Sequence, residues 1–312
     1  SYFQNMVEIF LKTLPFFALI GIGSWAGWKQ FFTKEATGYL TKFVFYFALS
    51  AMLFHFSANL QLSEVWDVQL ILAYLFGTII VYALASIVGY FRGLNLPTIA
   101  IEAQCAVIGN AGFLGIPMLA MLFGPKVIGP VMLVLATDLI IFSSLVVILI
   151  TIGQGGHMSF SILKKIALGL ASNPMIAAMS LGLFWSVWQI PIPGPMNEFL
   201  SILGGVATPG ALFAIGASLA SKSSERIGIA SWLSFCKLIL HPIAVAMSAI
   251  YIFDVEPFSG GLIIACAAMP VAGNIYMLAQ HYDVAPLRVS ATILLSTVIS
   301  ILTLTAVIAW IS

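Results

Sequence analysis

Apolar runs of about 20 residues, separated by short polar stretches, fill the chain from end to end. About twenty helical residues cover the roughly 30 Å hydrocarbon layer of a bilayer, so each run is read as a membrane-spanning helix. Ten spans result, over residues 6–27, 36–57, 68–90, 98–122, 129–151, 164–188, 197–220, 229–251, 258–281 and 287–311. The first run is long enough to span and is followed by more spans, which favours a retained helix over a cleaved leader. No connection is long enough to hold a soluble domain. Residues 153–163 read as a cytoplasmic linker between a first five-span half, 1–152, and a second, 164–312.

Charge sets the expected orientation. The loops after spans 1, 3, 5, 7 and 9 carry Lys29, Lys34, Arg92, Lys164, Lys165, Lys222, Arg226 and Arg288. The opposite loops carry Lys126 together with Glu64, Asp67, Glu198, Asp254 and Glu256. Lysine and arginine stay on the cytoplasmic side, so both termini are expected outside, in the periplasm for a protein of a bacterial inner membrane.

The two halves also match each other. A shift of 159 residues, without gaps, sets Pro15 on Pro174 and Gly23 on Gly182. It sets Ala48, Leu53, Phe54, Ala58 and Leu60 on Ala207, Leu212, Phe213, Ala217 and Leu219, and Met118–Ala120 on Met277–Ala279. With five spans in each half, the second half enters from the opposite side, so the expected repeat is inverted.

Composition agrees with a lipid solvent. The chain is 61% hydrophobic and 7% charged, with a mean hydropathy of +1.10, where a soluble domain carries roughly 25% charged residues. A net charge of +1 argues against nucleic-acid binding. Cys105, Cys236 and Cys266 all fall in apolar segments and read as small core residues, not a disulfide framework or metal site.

The fourth span of each half is spoiled near its middle. IGNAGFLGIPML (108–119) carries Gly109, Asn110, Gly112 and Gly115, and the matching AAMPVAGNIYML (267–278) carries Pro270, Gly273 and Asn274. Backbone polar groups released in lipid cost several kcal/mol each unless protein or water satisfies them, so such breaks line cavities. Paired breaks at matching positions point to a substrate site, where half-helix N-termini suit an anion and carbonyls a cation. Substrate-binding candidates are therefore Gly109, Asn110, Gly112, Pro270, Gly273 and Asn274. The competing reading is close packing and kinks, with Asn110 and Asn274 capping exposed backbone; for the asparagines both roles are compatible. Gln104 and Gln280 are weaker candidates of the same kind.

Several segments resemble the auxin efflux carrier family: GNAGFLGIPML (109–119), SNPMIAAMSLGL (172–183), ATPGALFAIGASLA (207–220), KLILHP (237–242) and AAMPVAGNIYMLAQHYDV (267–284). The resemblance implies an all-α polytopic membrane protein of ten transmembrane helices in two inverted five-helix repeats. In it the discontinuous fourth and ninth helices cross, as in bile-acid symporters and sodium/proton antiporters. It also implies a scaffold of spans 1, 2, 6 and 7, a transport bundle of spans 3–5 and 8–10, a homodimer, and the short bacterial form of the family. One departure is Ser50 at the position matching Pro209, which predicts a straighter second span.

Three ionisable residues inside spans are candidates for ion coupling, because a charge at that depth is expensive. Asp138, in span 5 with Thr137, Ser143 and Ser144 nearby, either carries a proton or cation, or alternates between those roles and an ion pair, or is a structural carboxylate bonded to Ser or Thr on neighbouring helices. Lys237 either joins the coupling or forms a buried ion pair, or snorkels. Glu102 is either a coupling group or a first-turn acid favoured by the helix dipole. His55 reads as interfacial, and His241 as a packing or hydrogen-bonding ring. The expected function is secondary transport of a small organic anion, auxin-like or a dicarboxylate such as malonate, by an elevator-type motion of bundle against scaffold. The alternative is a sodium or proton antiporter of the same fold. No HExxH, paired aspartates, GxSxG or nucleotide loop supports an enzyme or an ATP-driven pump, and no cofactor is expected beyond coupling protons or sodium.

Overall fold

A computed structural model describes residues 1–222 and 226–312. The described chain is helical throughout: α1 (Tyr2–Trp28), α2 (Lys34–Ala58), α3 (Val68–Phe91), α4 (Leu96–Val107), α5 (Ala111–Phe123), α6 (Pro125–Gly153), α7 (Phe160–Ala171), α8 (Pro174–Val187), α9 (Gly194–Leu219), α10 (Ile227–Ile252), α11 (Pro257–Ala267), α12 (Asn274–Tyr282) and α13 (Pro286–Ile311). Among the described residues, seven of these helices are long and apolar enough to cross a membrane, and the bent pair α7–α8 makes an eighth. The expected fourth and ninth spans are each in two pieces, α4 with α5 and α11 with α12. A 12-residue helix is about 18 Å long, so neither piece crosses 30 Å alone.

Polar caps end the apolar runs. Thr33 accepts from the Ala36 amide at 3.1 Å, Asp67 from Leu70 at 3.1 Å and Asn95 from Thr98 at 3.0 Å, each satisfying a first-turn N–H that the helix cannot. The sixth span departs from the expected single helix: α7 and α8 meet at 66°. Asn173 accepts from the amides of Met175 and Ile176, and Pro174 takes the first helical position, so a new helix starts there. In α1 the matching proline, Pro15, follows Leu14, which has no capping oxygen, and the helix runs through it. The second span continues through Ser50 without a break. A π-helical turn occupies Val44–Ala48, and Ser50 Oγ donates to the Phe45 carbonyl at 3.2 Å.

Helix starts in the second half fall within four residues of those in the first after the 159-residue shift, for every span. The packing follows the same relation. α1 lies against α9, and α8 against α2, at backbone distance. A Cβ at Gly23 would stand 2.2 Å from the Phe213 carbonyl oxygen, and one at Gly182 would stand 2.8 Å from that of Phe54. The Ser24 hydroxyl donates to the Gly216 carbonyl at 3.0 Å in the first crossing. α2 also packs on α9, while α3, α4, α6, α10, α11 and α13 pack mainly on one another.

Candidate functional site

The two breaks lie side by side. α4 ends at Val107 and α11 at Ala267, and the extended segments that follow run antiparallel, with Gly109 opposite Val271. The Asn110 amide donates to the Pro270 carbonyl at 2.9 Å, and the Ala272 amide to the Ile108 carbonyl at 3.1 Å. The Val271 amide donates to Ser296 Oγ of α13 at 3.1 Å, and Asn110 Oδ1 accepts from the Phe113 amide at 3.2 Å. Groups that the broken helices release are thus taken up by protein, which permits irregular backbone at this depth. Pro270 contributes an acceptor and no donor, which is why it suits one side of this ladder.

Lys237 stands at this junction, fully buried in a π-helical turn of α10. Its ammonium donates to the Ala267 carbonyl at the end of α11, where a helix C-terminus favours a cation. It also covers Gly109: a Cβ there would come within 3.1 Å of Nζ and 3.0 Å of Cε, so glycine leaves the room the ammonium uses. Gly112 plays the same part on the other side, where a Cβ would meet the Met175 methyl at 2.5 Å. Asn110 is half-buried, whereas Gly273 and Asn274 are exposed at the start of α12. Asn110 caps its half-helix; Asn274 is the first residue of α12 after Gly273, not its cap.

Asp138 is buried at the start of a π-helical turn in α6, and Oδ1 accepts from the Tyr74 hydroxyl at 2.7 Å. Its partner does come from a neighbouring helix, α3, but is a tyrosine and not a serine or threonine; Ser143 Oγ donates to its backbone carbonyl. One turn beyond Tyr74, Thr78 Oγ1 bonds His241 Nε2 at 2.9 Å, one turn beyond Lys237 on α10. Gly77, between them, lets the two helices approach, since a Cβ there would lie 2.8 Å from Val245 Cα. The rings of Tyr74 and His241 sit 5.8 Å apart. Asp138 and Lys237 are close enough to interact electrostatically, yet no ion pair within 4.0 Å joins them.

Glu102 is in ion pairs with two arginines. It is buried, with Oε1 bound by Arg92 at 2.6 Å and Oε2 by Arg288, so one carboxylate of α4 ties the loop after α3 to the first turn of α13. His55 bonds Asn197 Oδ1 at 2.9 Å between α2 and α9, and Gln280 bonds the Tyr276 hydroxyl at 2.9 Å. Gln104 is buried one turn before the break with its Oε1 unpaired. Tyr74, Thr78 and Ser296 also bond groups of the site, and their sequence signal is no more than a polar atom within an apolar run. A groove of about 240 Å³ between α10, α11 and α13 lies elsewhere, at the Asp254 and Trp310 end.

The profile of the family described as "Membrane transport protein" matches residues 8–308. The chain belongs to this family. It is the auxin efflux carrier group that the motifs around both breaks resemble. One relative, from Rhizobium meliloti and named "Putative malonate transporter", is 27% identical over 303 residues, covering 96% of this chain and 95% of its own. Another, from Methanothermobacter thermautotrophicus and named "Uncharacterized transporter", is 26% identical over 278 residues, covering 87% and 88%. Family and apolar helices together make this auxin efflux carrier homologue an integral membrane protein whose relatives are transporters, not enzymes.

Proposed function

We propose that the protein is a secondary transporter of a small organic anion, a carboxylate of the malonate class, working by elevator-type alternating access. The observation that carries this reading is the pair of breaks joined backbone to backbone, with a buried ammonium, Lys237, against Gly109. A carboxylate there would find the positive charge of Lys237, the Asn110 and Asn274 amides and the backbone around Gly112 and Gly273. The matching helix boundaries and the paired Gly23 and Gly182 crossings support ten spans in two inverted repeats with crossed spans 4 and 9. The packing supports a scaffold of α1, α2, α7, α8 and α9 and a moving bundle of α3–α6 and α10–α13. Asp138, held by Tyr74 and within electrostatic reach of Lys237, is the assigned coupling group, and Glu102 secures the bundle. The relative named for malonate adds weight to a dicarboxylate. Both termini outside, an inner-membrane location and a homodimer through the scaffold complete the reading.

A sodium or proton antiporter is the second reading, favoured by a buried Asp138 that no cation among the described residues pairs at contact distance. Liposomes containing the purified protein separate the two. Saturable malonate uptake that collapses in Asn110→Ala and Asp138→Asn supports the anion transporter. Cation-driven pH changes without added acid, and no malonate flux, would replace it with the antiporter.

A further inference from the structure

The two half-helices that leave the breaks are unequally covered. Along α5 only Met121 is exposed. Phe113 stacks on Phe45 of α2, ring centroids 6.1 Å apart, and Gly112 lies under Met175 of α8. Along α12, by contrast, Asn274, Met277, Gln280 and His281 are exposed, following Gly273, at spacings that share one helix face. Amides and an imidazole on that face suit water, not lipid tails. The break is therefore sealed on the α5 side and open on the α12 side.

Cations flank the open face. Lys222, just past α9, places Nζ 3.8 Å from the Tyr276 ring centroid, and Tyr276 lies in the same first turn as Asn274. Lys34, the first residue of α2, whose first ten residues pack on the second half of α9, is a second cation at this end. Among the described residues no carboxylate comes within 4.0 Å of either ammonium. Further along, Lys165 of α7 covers Tyr282 at 4.7 Å. Two neighbouring cations, one half-buried and neither paired with a carboxylate among the described residues, form a place where an anion gains and a cation loses.

We propose that the open face of α12, with Lys222 and Lys34, is an anion vestibule in which a carboxylate pairs with Lys222 before reaching Asn274 at the break. The proposal rests on the anion-transport reading. It makes Lys222 the residue that admits substrate, distinct from Lys237, which holds it.

The test is malonate uptake in proteoliposomes for wild type, Lys222→Gln and Lys222→Arg, each at low and high ionic strength. The expected result is a KM about threefold higher or more in Lys222→Gln, outweighing any fall in saturating rate, with weakened salt dependence and recovery in Lys222→Arg. Lys34→Gln, at an exposed site, should shift KM in the same direction by less, and serves if Lys222→Gln does not fold. Wild-type KM and salt dependence in both glutamine variants would overturn the vestibule while leaving transport standing. Absence of malonate flux in the wild type would overturn the transport reading and the vestibule with it.

Discussion

Replacing Glu102 by glutamine keeps the shape of the side chain and removes the one negative charge between two arginines. Both carboxylate oxygens are in use and the group is 1% exposed; Arg288 is 13% exposed and Arg92 29%. Removing one partner of a buried ion pair costs about 3–5 kcal/mol, because the charges left behind are desolvated. Arg92 keeps part of its hydration and relaxes toward water, which sets the expectation near the lower end, about 3 kcal/mol. That is a large part of a typical stability of about 5–15 kcal/mol. Reversible unfolding in mixed micelles with rising SDS measures it directly. Adding Arg92→Gln should recover part of the loss, with a coupling of about 1 kcal/mol or more in the double-mutant cycle. Folded Glu102→Gln should transport malonate with an unchanged pH profile. A loss below about 1 kcal/mol, as for an exposed pair, together with a changed pH profile, would refute the clamp and return Glu102 to ion coupling.

Tyr74→Phe deletes the hydroxyl that donates to buried Asp138; a hydrogen bond to a charged group is worth about 1.5–3 kcal/mol, and the pH profile of flux should shift as well. Gly23→Ala and Gly182→Ala each push a methyl into the facing backbone; both should destabilise by about 1–3 kcal/mol, and a large effect at only one would argue against equivalent crossings. Burial and neighbouring Lys34 lower the Lys222 ammonium to about 8. It is charged below that pH and neutral above it, so the apparent affinity for malonate should fall as pH rises through about 8, and Lys222→Arg should flatten the change.

Local signals and contacts between distant residues were not equally legible. The breaks are readable because glycine, proline and asparagine cannot hide in an apolar helix, and the spans because short polar stretches interrupt the apolar runs. The partners are not. Glu102 meets Arg288, 186 residues away, and Asp138 meets Tyr74, 64 residues away, through packing that no local pattern encodes. Tyr74 itself looked like one more aromatic in an apolar run. The 66° bend at Ser172–Asn173 follows from Asn173, which caps a new helix where the repeat places Leu14, a difference that the matching prolines Pro174 and Pro15 hide.

The central claim, that the joined breaks hold an anion through Lys237, is tested most directly by malonate binding to purified protein, measured by calorimetry for wild type and Lys237→Met. The account predicts saturable binding to the wild type and at least a tenfold weaker affinity in Lys237→Met, a difference of about 1.4 kcal/mol. Equal affinities in two folded proteins would contradict it.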